Sequence, residues 1–149
     1  MITYQKSLEG ITPEMLAGFF AGWPNPPAPS VHLRLLRDSA YRILAFDEDA
    51  GRVVGFITAI SDGVLTAFIP LLEVLPEYQG KGIGKALVKQ MLAELAHLYS
   101  VDLVCDENLR AYYEHFGLVP VRGMARRNYA AQTASSMKIN AAYSAVPAV

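Results

Sequence analysis

The sequence predicts an α+β fold with a mixed central sheet, in which an antiparallel meander is followed by a parallel crossover and helices flank the sheet. Three apolar segments in the first half, each long enough for a strand, are separated by short polar turns. A long helical pattern then separates the third segment from another apolar run, Leu103–Cys105. A strand, a helix and a strand in succession predict a right-handed parallel connection.

The composition is typical of a single folded domain. The chain has 149 residues, of which 52% are hydrophobic and 18% are charged, and this is enough to bury a core. Thirteen Lys and Arg residues against fourteen Asp and Glu residues give a net charge of −1. This balance argues against nucleic acid as a partner, because nucleic-acid affinity depends on clustered positive charge. The single cysteine, Cys105, excludes an intramolecular disulfide framework and an all-cysteine metal site.

The ends of the chain carry little chemistry. The N-terminus lacks an apolar signal region, and no stretch approaches the roughly 18 apolar residues of a membrane span. We therefore expect no membrane partner and a cytoplasmic localisation. Residues 1–130 are predicted to form the domain. Residues 131–149 are predicted to be a low-complexity C-terminal tail, in which Lys138 is the only charged residue.

The first elements are a short strand, Ile2–Gln5, and two helices. Thr12 as N-cap and Pro13 at the first helical position predict the first helix, because a proline nitrogen needs no hydrogen-bond partner there. Its apolar face comprises Met15, Leu16, Phe19 and Phe20. The segment Trp23–Pro29 contains four prolines and predicts a stiff, extended loop. Ser30 is expected to cap the second helix.

Three strands follow, at Tyr41–Phe46, Arg52–Ser61 and Val64–Leu75. The dipeptide Asp62-Gly63 between the second and third strands predicts a type I′ hairpin, because that turn needs positive φ at both central residues. Pro76 ends the third strand. These segments predict the antiparallel meander.

A long amphipathic helix is predicted to start near Gly82. Its apolar stripe comprises Ile83, Leu87, Met91, Leu95 and Leu98. A second, short helix is predicted at Ala111–Phe116, and Gly117 ends it. Both helices lie in the second half of the chain.

Three further segments of the second half are predicted as strands. The run Leu103–Cys105 is wholly apolar and is expected to be buried, which makes Cys105 an inert core thiol. The last strand segments are predicted at Val119–Val121 and Met124–Tyr129.

A glycine-rich turn joins the third strand to the long helix, with glycines at positions 80, 82 and 84. Glycines let the backbone approach a ligand closely, and the free N–H groups of a helix N-terminus attract anions. Lys81 and Lys85 add positive charge, so the turn predicts a site for a phosphorylated ligand. Two standard nucleotide-binding motifs do not fit this turn. The P-loop pattern needs a glycine five residues after Gly80, and the dinucleotide fingerprint needs one three residues after Gly82. Lys85 stands at that position in both cases.

Two segments match motifs of a known family. Gln79, Gly82 and Gly84 fit the pattern Gln/Arg-x-x-Gly-x-Gly/Ala, and Tyr113–Leu118 fits Tyr-x-x-x-Gly-Phe with leucine in the last place. Both patterns resemble those of the GCN5-related N-acetyltransferase (GNAT) superfamily, and the chain looks like a small stand-alone member of bacterial type. Asn108 stands five residues before that tyrosine, where the family has an asparagine about seven residues before it. The resemblance covers roughly residues 1–130.

The resemblance implies the GNAT fold and acetyl-coenzyme A (acetyl-CoA) as cosubstrate, without a metal ion. The residues expected to hold its pyrophosphate are Gln79, Gly80, Lys81, Gly82, Ile83, Gly84 and Lys85. The pantetheine arm is expected along Leu72, Glu73 and Val74. Asn108 is expected to add a coenzyme contact.

The resemblance also implies direct transfer of the acetyl group to a primary amine within a ternary complex. Tyr113 is expected to protonate the leaving sulfur, because a phenol of pKa about 10 can donate to a thiolate of pKa about 8–9. The sequence shows no poised Cys or Ser nucleophile, which argues against an acyl-enzyme.

The roles of several other residues stay open. Glu73 is either the general base, directly or through a water, or a solvated carboxylate. Trp23 either lines the acceptor pocket or anchors packing. His32 and His97 are expected on helix surfaces, and no histidine has metal-ligand spacing.

Two other classes of function also stay open. One is a non-catalytic sensor that binds acyl-CoA, and the other is an interaction domain that keeps the GNAT fold. For an enzyme, a small-molecule amine is the expected acceptor and a protein acceptor is the second expectation. The apolar tail and an open sheet edge also predict a homodimer.

Overall fold

The computed structural model describes residues 1–135, and the predicted tail beyond residue 135 lies outside them. The strands are β1 (Ile2–Gln5), β2 (Tyr41–Asp47), β3 (Arg52–Ser61), β4 (Thr66–Val74) and β5 (Ser100–Leu103). They form one sheet in the order β1-β2-β3-β4-β5. Neighbouring strands are antiparallel up to β4, and β4 and β5 are parallel. The predicted α+β fold with a mixed sheet is confirmed.

Within residues 1–135, three α-helices flank this sheet: α1 (Pro29–Asp38), α2 (Ile83–Glu94) and α3 (Arg110–Glu114). On one face, Gly55 of β3 lets α2 approach closely. A Cβ on this glycine would lie 3.2 Å from both Ile83 Cγ2 and Leu87 Cδ1. α2 ends before its apolar stripe does, although Leu95 and Leu98 remain buried.

The helix predicted through Phe20 is wrong. Only Pro13–Leu16 forms a 3-10 helix, and Ala17 is already extended, with φ −68° and ψ 144°. Gly18 and Phe20 both have positive φ, 95° and 63°. The apolar spacing mimics a helix, but the chain turns here because Phe19 and Phe20 are buried on the second face of the sheet, against Phe56.

His32 is buried, so its prediction as a surface residue of the second helix is wrong. Its ring is 1% exposed and lies 5.2, 4.9 and 4.3 Å from the rings of Phe19, Phe20 and Phe56. Within residues 1–135, neither ring nitrogen has a hydrogen-bond partner. Burial lowers the pKa of His32 from 6.5 to about 4, because the charged form loses its solvation. His97 is exposed, as predicted.

The loop between β3 and β4 is not the predicted two-residue type I′ turn. Asp62 Oδ1 accepts hydrogen bonds from the backbone N–H groups of Val64, Leu65 and Thr66, at 2.9, 2.8 and 3.1 Å. These bonds stabilise a longer loop, so β4 begins at Thr66.

The strand predicted at Leu103–Cys105 begins three residues earlier, as β5 (Ser100–Leu103), and it is only partly buried. The pairing of β5 with β4 ends at Leu103, and Val104 and Cys105 are exposed. Cys105 is therefore an accessible thiol rather than a core residue.

The last two predicted strands are absent from residues 1–135. Neither Val119–Val121 nor Met124–Tyr129 belongs to the sheet. Val119, Val121 and Met124 are all largely exposed. The alternation of apolar residues in these segments is typical of a strand. Within residues 1–135, however, neither segment pairs with another strand, so β5 remains the edge of the sheet.

The burial of His32 predicts a specific pH dependence of stability. Between pH 6.5 and about 4 the unfolded chain binds a proton at His32 that the folded chain does not bind. Stability therefore falls as pH decreases through this window, by about 2–3 kcal/mol at pH 4.5 from this residue. Urea unfolding at pH 7.5 and 4.5 should show a smaller loss for His32→Phe than for the wild type. Carboxylates titrate in both proteins and lower the stability of both. Equal losses of unfolding free energy in the variant and the wild type would therefore contradict the lowered pKa of His32.

Candidate functional site

The site originates where β4 and β5 separate. Their last paired residues are Ile69 and Leu103, and the next residue of β4, Pro70, has no N–H to donate. β4 also carries one extra residue here, since Thr58 faces Leu71 while Ile60 faces Phe68. Beyond this bulge lies the stretch 71–74, which we call the open edge of β4. Among the strands of residues 1–135, it has only β3 as a neighbour.

Alternate backbone groups of this stretch are free to meet a ligand. The N–H of Leu75 donates to the Val54 carbonyl at 2.9 Å. Because successive strand residues direct their N–H and C=O groups to opposite edges, Glu73 faces β3, and Leu72 and Val74 face away from it. The carbonyl of Val74 accepts a hydrogen bond from Gln79 Nε2 at 2.9 Å, which agrees with this orientation.

The open edge of β4 leads directly into the glycine-rich turn. Gly82 lies immediately before α2 with φ 81°, a conformation that L side chains rarely adopt. The first hydrogen bond of α2 runs from the Ala86 N–H to the Gly82 carbonyl. The N–H groups of residues 83–85 therefore point out of the helix end. Lys81 and Lys85 are exposed beside them, so this end of α2 is suited to an anion.

Two adjacent tyrosines of α3 contact different parts of the structure. The hydroxyl of Tyr112 lies 3.3 Å from the position that a Cβ on Gly84 would take, so it covers the first turn of α2. Tyr113 lines a cavity of about 550 Å³ together with Leu103 and Cys105. The sequence identified Tyr113 by its motif. It gave no signal for the position of Tyr112.

Burial raises the pKa of Tyr113 to about 12, with smaller contributions from Tyr112 and Cys105. The phenol is therefore fully protonated at neutral pH. It can donate a hydrogen bond, but it is a weaker acid than a free phenol.

The loop between β5 and α3 carries Asn108 and Asp106, of which one shares the cavity of Tyr113. Asn108 is exposed on the 3-10 helix Glu107–Leu109. Asp106 stands seven residues before Tyr113 and lines the same cavity. The seven-residue spacing therefore leads to Asp106, a residue that the sequence analysis did not single out.

The carboxylate of Glu73 is partly buried and accepts hydrogen bonds from the backbone. Both of its oxygens lie 2.9 Å from the N–H nitrogen of Phe20, and Oε1 also accepts from Ala21 at 3.3 Å. Glu73 pairs with Phe56 across the β3–β4 ladder, so it lies on the face that carries α1. Both roles predicted for Glu73, general base and solvated carboxylate, stay predictions.

A second cavity, of about 220 Å³, lies on the same face. We call it the Trp23 cavity. Its lining includes the side chains of Phe20, Trp23, Val31, Leu35 and Leu71. Trp23 is 39% exposed, and its ring packs edge-on against Phe20 at 5.0 Å. Trp23 thus both lines a cavity and packs.

Comparisons with known proteins agree with this geometry. The family model for the acetyltransferase (GNAT) family matches residues 8–118. A crystal structure from Deinococcus radiodurans R1, assigned to the acetyltransferases, is 46% identical with a TM-score of 0.86 and covers 89% of this chain and 92% of that one. A GNAT family protein from Streptococcus pneumoniae is 32% identical with a TM-score of 0.65, over 86% of this chain and 97% of the other.

A curated relative is longer than this chain. An uncharacterised N-acetyltransferase of Pyropia yezoensis is 29% identical over 110 residues, which are 69% of this chain and 63% of the relative. Among residues 1–135, no helix is both long and apolar enough to cross a membrane. The match over residues 8–118, together with the close structural likeness, shows that the chain belongs to the GNAT family of acetyltransferases.

Proposed function

We propose that the protein transfers an acetyl group from acetyl-CoA to a primary amine. One observation carries this proposal: the open edge of β4 runs directly into a helix N-terminus suited to an anion. An acyl-CoA needs both features together, since its pantetheine arm carries amides and its other end carries phosphates. Cytoplasmic localisation, a homodimer and the exclusion of nucleic-acid partners stay predictions.

The coenzyme fits along the strand, the turn and the helix in that order. The carbonyl of Leu72 and the N–H of Val74 face the open edge and can pair with the pantetheine amides, while the Val74 carbonyl accepts a hydrogen bond from Gln79 Nε2. The pyrophosphate lies against the turn 79–85, where the N–H groups of residues 83–85 and the charges of Lys81 and Lys85 offset its negative charge. Asn108 and Asp106 are candidates for a further contact from the α3 side.

The transfer then proceeds in one complex. A neutral amine attacks the thioester carbonyl carbon, the new C–N bond forms, and the C–S bond breaks. The N–H of Leu72, directed to the open edge at the end of the stretch away from the turn, is placed to stabilise the negative charge on the carbonyl oxygen. The proton of the amine passes to water or to a base, and the departing sulfur receives a proton or a hydrogen bond.

We assign the donor for the leaving sulfur to Tyr113 because it heads the family-like segment Tyr113–Leu118. Among the described residues that line its cavity, none belongs to the open edge of β4 or to the glycine-rich turn. With a pKa of about 12, complete proton transfer to a thiolate of pKa about 8.5 is uphill by about 5 kcal/mol. Hydrogen-bond donation to the developing thiolate has no such cost. We therefore assign Tyr113 to stabilisation of the leaving group, with final protonation by solvent.

A sensor and an interaction domain predict different behaviour from an enzyme. A sensor binds acetyl-CoA but releases no thiol when amines are added. An interaction domain that only keeps the fold does not bind the coenzyme. Binding and thiol release, measured on the same protein, therefore separate the three functions.

We expect thiol release from acetyl-CoA to depend on an added amine. We expect Tyr113→Phe to lower kcat about 10²–10³-fold, the usual loss for one donor to a developing anion, with little change in coenzyme affinity. Since the pKa of Tyr113 is about 12, its deprotonation should not lower kcat between pH 7 and 10. Cys105→Ser is the matched control, because Cys105 lies on the same cavity and direct transfer does not use it. Equal turnover of Tyr113→Phe and wild type would remove Tyr113 from the mechanism, and inactive Cys105→Ser would indicate an acyl-enzyme.

We expect Gly82→Val to weaken coenzyme A binding strongly, by about tenfold or more, because a β-branched residue is strained at φ 81° and redirects the first N–H groups of α2. Isothermal titration calorimetry measures this change. Gly51→Val is the control, since Gly51 also has positive φ (64°) and open space around it but lies in the turn between β2 and β3. Similar losses in both variants would mean that Gly82 acts only through general stability.

A further inference from the structure

The Trp23 cavity is small and mainly apolar. Its volume of about 220 Å³ lies below the roughly 300–1,000 Å³ of pockets that hold drug-sized ligands. Aromatic and aliphatic side chains form most of its walls, and Arg34 and Asp38 of α1 are its charged lining residues. The size and chemistry suit one ring or one compact branched group.

The cavity is connected to the proposed transfer site through β4. Leu71 lines the cavity and is also the first residue of the open edge of β4. Leu71 and Glu73 lie on the same face, about 7 Å apart along the strand. A group held against Leu71 is therefore within a few bond lengths of a thioester placed beside Leu72 and Val74.

Glu73 holds the aromatic wall of the cavity in place. The Phe20 backbone has φ 63°, which is unfavourable for a residue with a side chain. The hydrogen bonds from the N–H groups of Phe20 and Ala21 to the Glu73 carboxylate stabilise this turn. This turn fixes the position of the Phe20 ring, and Trp23 packs against that ring.

We propose that the Trp23 cavity binds the side group of the acceptor, and that the acceptor is a small primary amine carrying one aromatic ring or similarly compact apolar group on a short linker. This inference rests on the proposed function and specifies the substrate class of the same site. Glu73 is a positioning residue for the cavity rather than the general base, since its carboxylate is already bound by backbone N–H groups. The acetyl transfer is the one described above, with the C–S bond broken and the C–N bond formed.

Polar and polycationic acceptors fit this cavity poorly. An aminoglycoside or a polyamine needs several carboxylates or many hydrogen-bonding groups. Among the lining residues, Asp38 is the only carboxylate, and Arg34 is a cation of the same wall. A sugar hydroxyl placed against Phe20 and Leu71 would lose its hydrogen bonds to water without replacement.

The test compares 2-phenylethylamine with ethanolamine, which has the same two-carbon linker and a polar end, by steady-state kinetics with acetyl-CoA. We expect kcat/KM to be about 10–100-fold higher for 2-phenylethylamine, the gain that burial of one ring provides. Trp23→Ala should remove most of this preference by raising the KM for 2-phenylethylamine, with the KM for acetyl-CoA unchanged. Trp23→Phe, which keeps a ring, should retain part of it.

The outcomes separate this inference from the proposed function. Turnover that favours ethanolamine or an aminoglycoside, or a preference unaffected by Trp23→Ala, would overturn the inference and leave the acetyltransferase intact. Coenzyme binding without turnover of any amine would instead overturn the proposed function, and the inference with it.

Glu73→Gln tests the positioning role by a separate readout. A positioning residue predicts a KM for 2-phenylethylamine raised about 10–100-fold, with the pH profile of kcat keeping its shape. A general base predicts a large fall in kcat and the loss of the low-pH limb of that profile. Trp23 is partly exposed, so Trp23→Ala keeps the inference testable even if Glu73→Gln does not fold.

Discussion

The rest of the site depends on the point at which β4 loses its second partner. Pairing with β5 stops at Ile69 and Leu103, because Pro70 donates no hydrogen bond and an extra residue shifts the register with β3. A parallel strand pair that continued to Val74 would satisfy every backbone group and leave no room for a ligand. The separation instead leaves Leu72 and Val74 with groups directed away from β3.

β4 can contact both substrates because its backbone groups and its side chains point in different directions. Along the open edge of β4, the backbone of Leu72 and Val74 is placed for the coenzyme, while the side chains of Leu71 and Glu73 lie on the face that carries α1. Acetyl donor and acceptor can thus approach one strand from two directions. A rigid strand fixes their relative position better than two independent loops would.

The features that could be predicted from the sequence are those determined by residues close together in the chain. The Gln79–Gly84 signature and the start of α2 could be predicted because a left-handed Gly82 before an apolar stripe is a local requirement. The meander and the parallel crossover followed from strand and helix periodicity. The Tyr113 motif placed that residue beside the end of β5, although its raised pKa depends on burial, which the motif does not encode.

The features that could not be predicted depend on contacts between distant residues. The turn at Phe20 is stabilised by Glu73, 53 residues away, and it interrupts an apolar pattern with helical spacing. His32 is buried because three aromatic rings from elsewhere surround it. Cys105 sits in an apolar run, yet it is exposed because the strand pairing has already ended at Leu103.

Residue-resolved hydrogen exchange with and without acetyl-CoA tests the open edge of β4 as the coenzyme site most directly. In the free protein, the amides of Leu72 and Val74 should exchange faster than that of Glu73, which faces β3. Saturating acetyl-CoA should slow the exchange of Leu72 and Val74 by about tenfold or more while changing Glu73 little. Coenzyme binding that leaves the amides of Leu72 and Val74 unprotected would contradict the account.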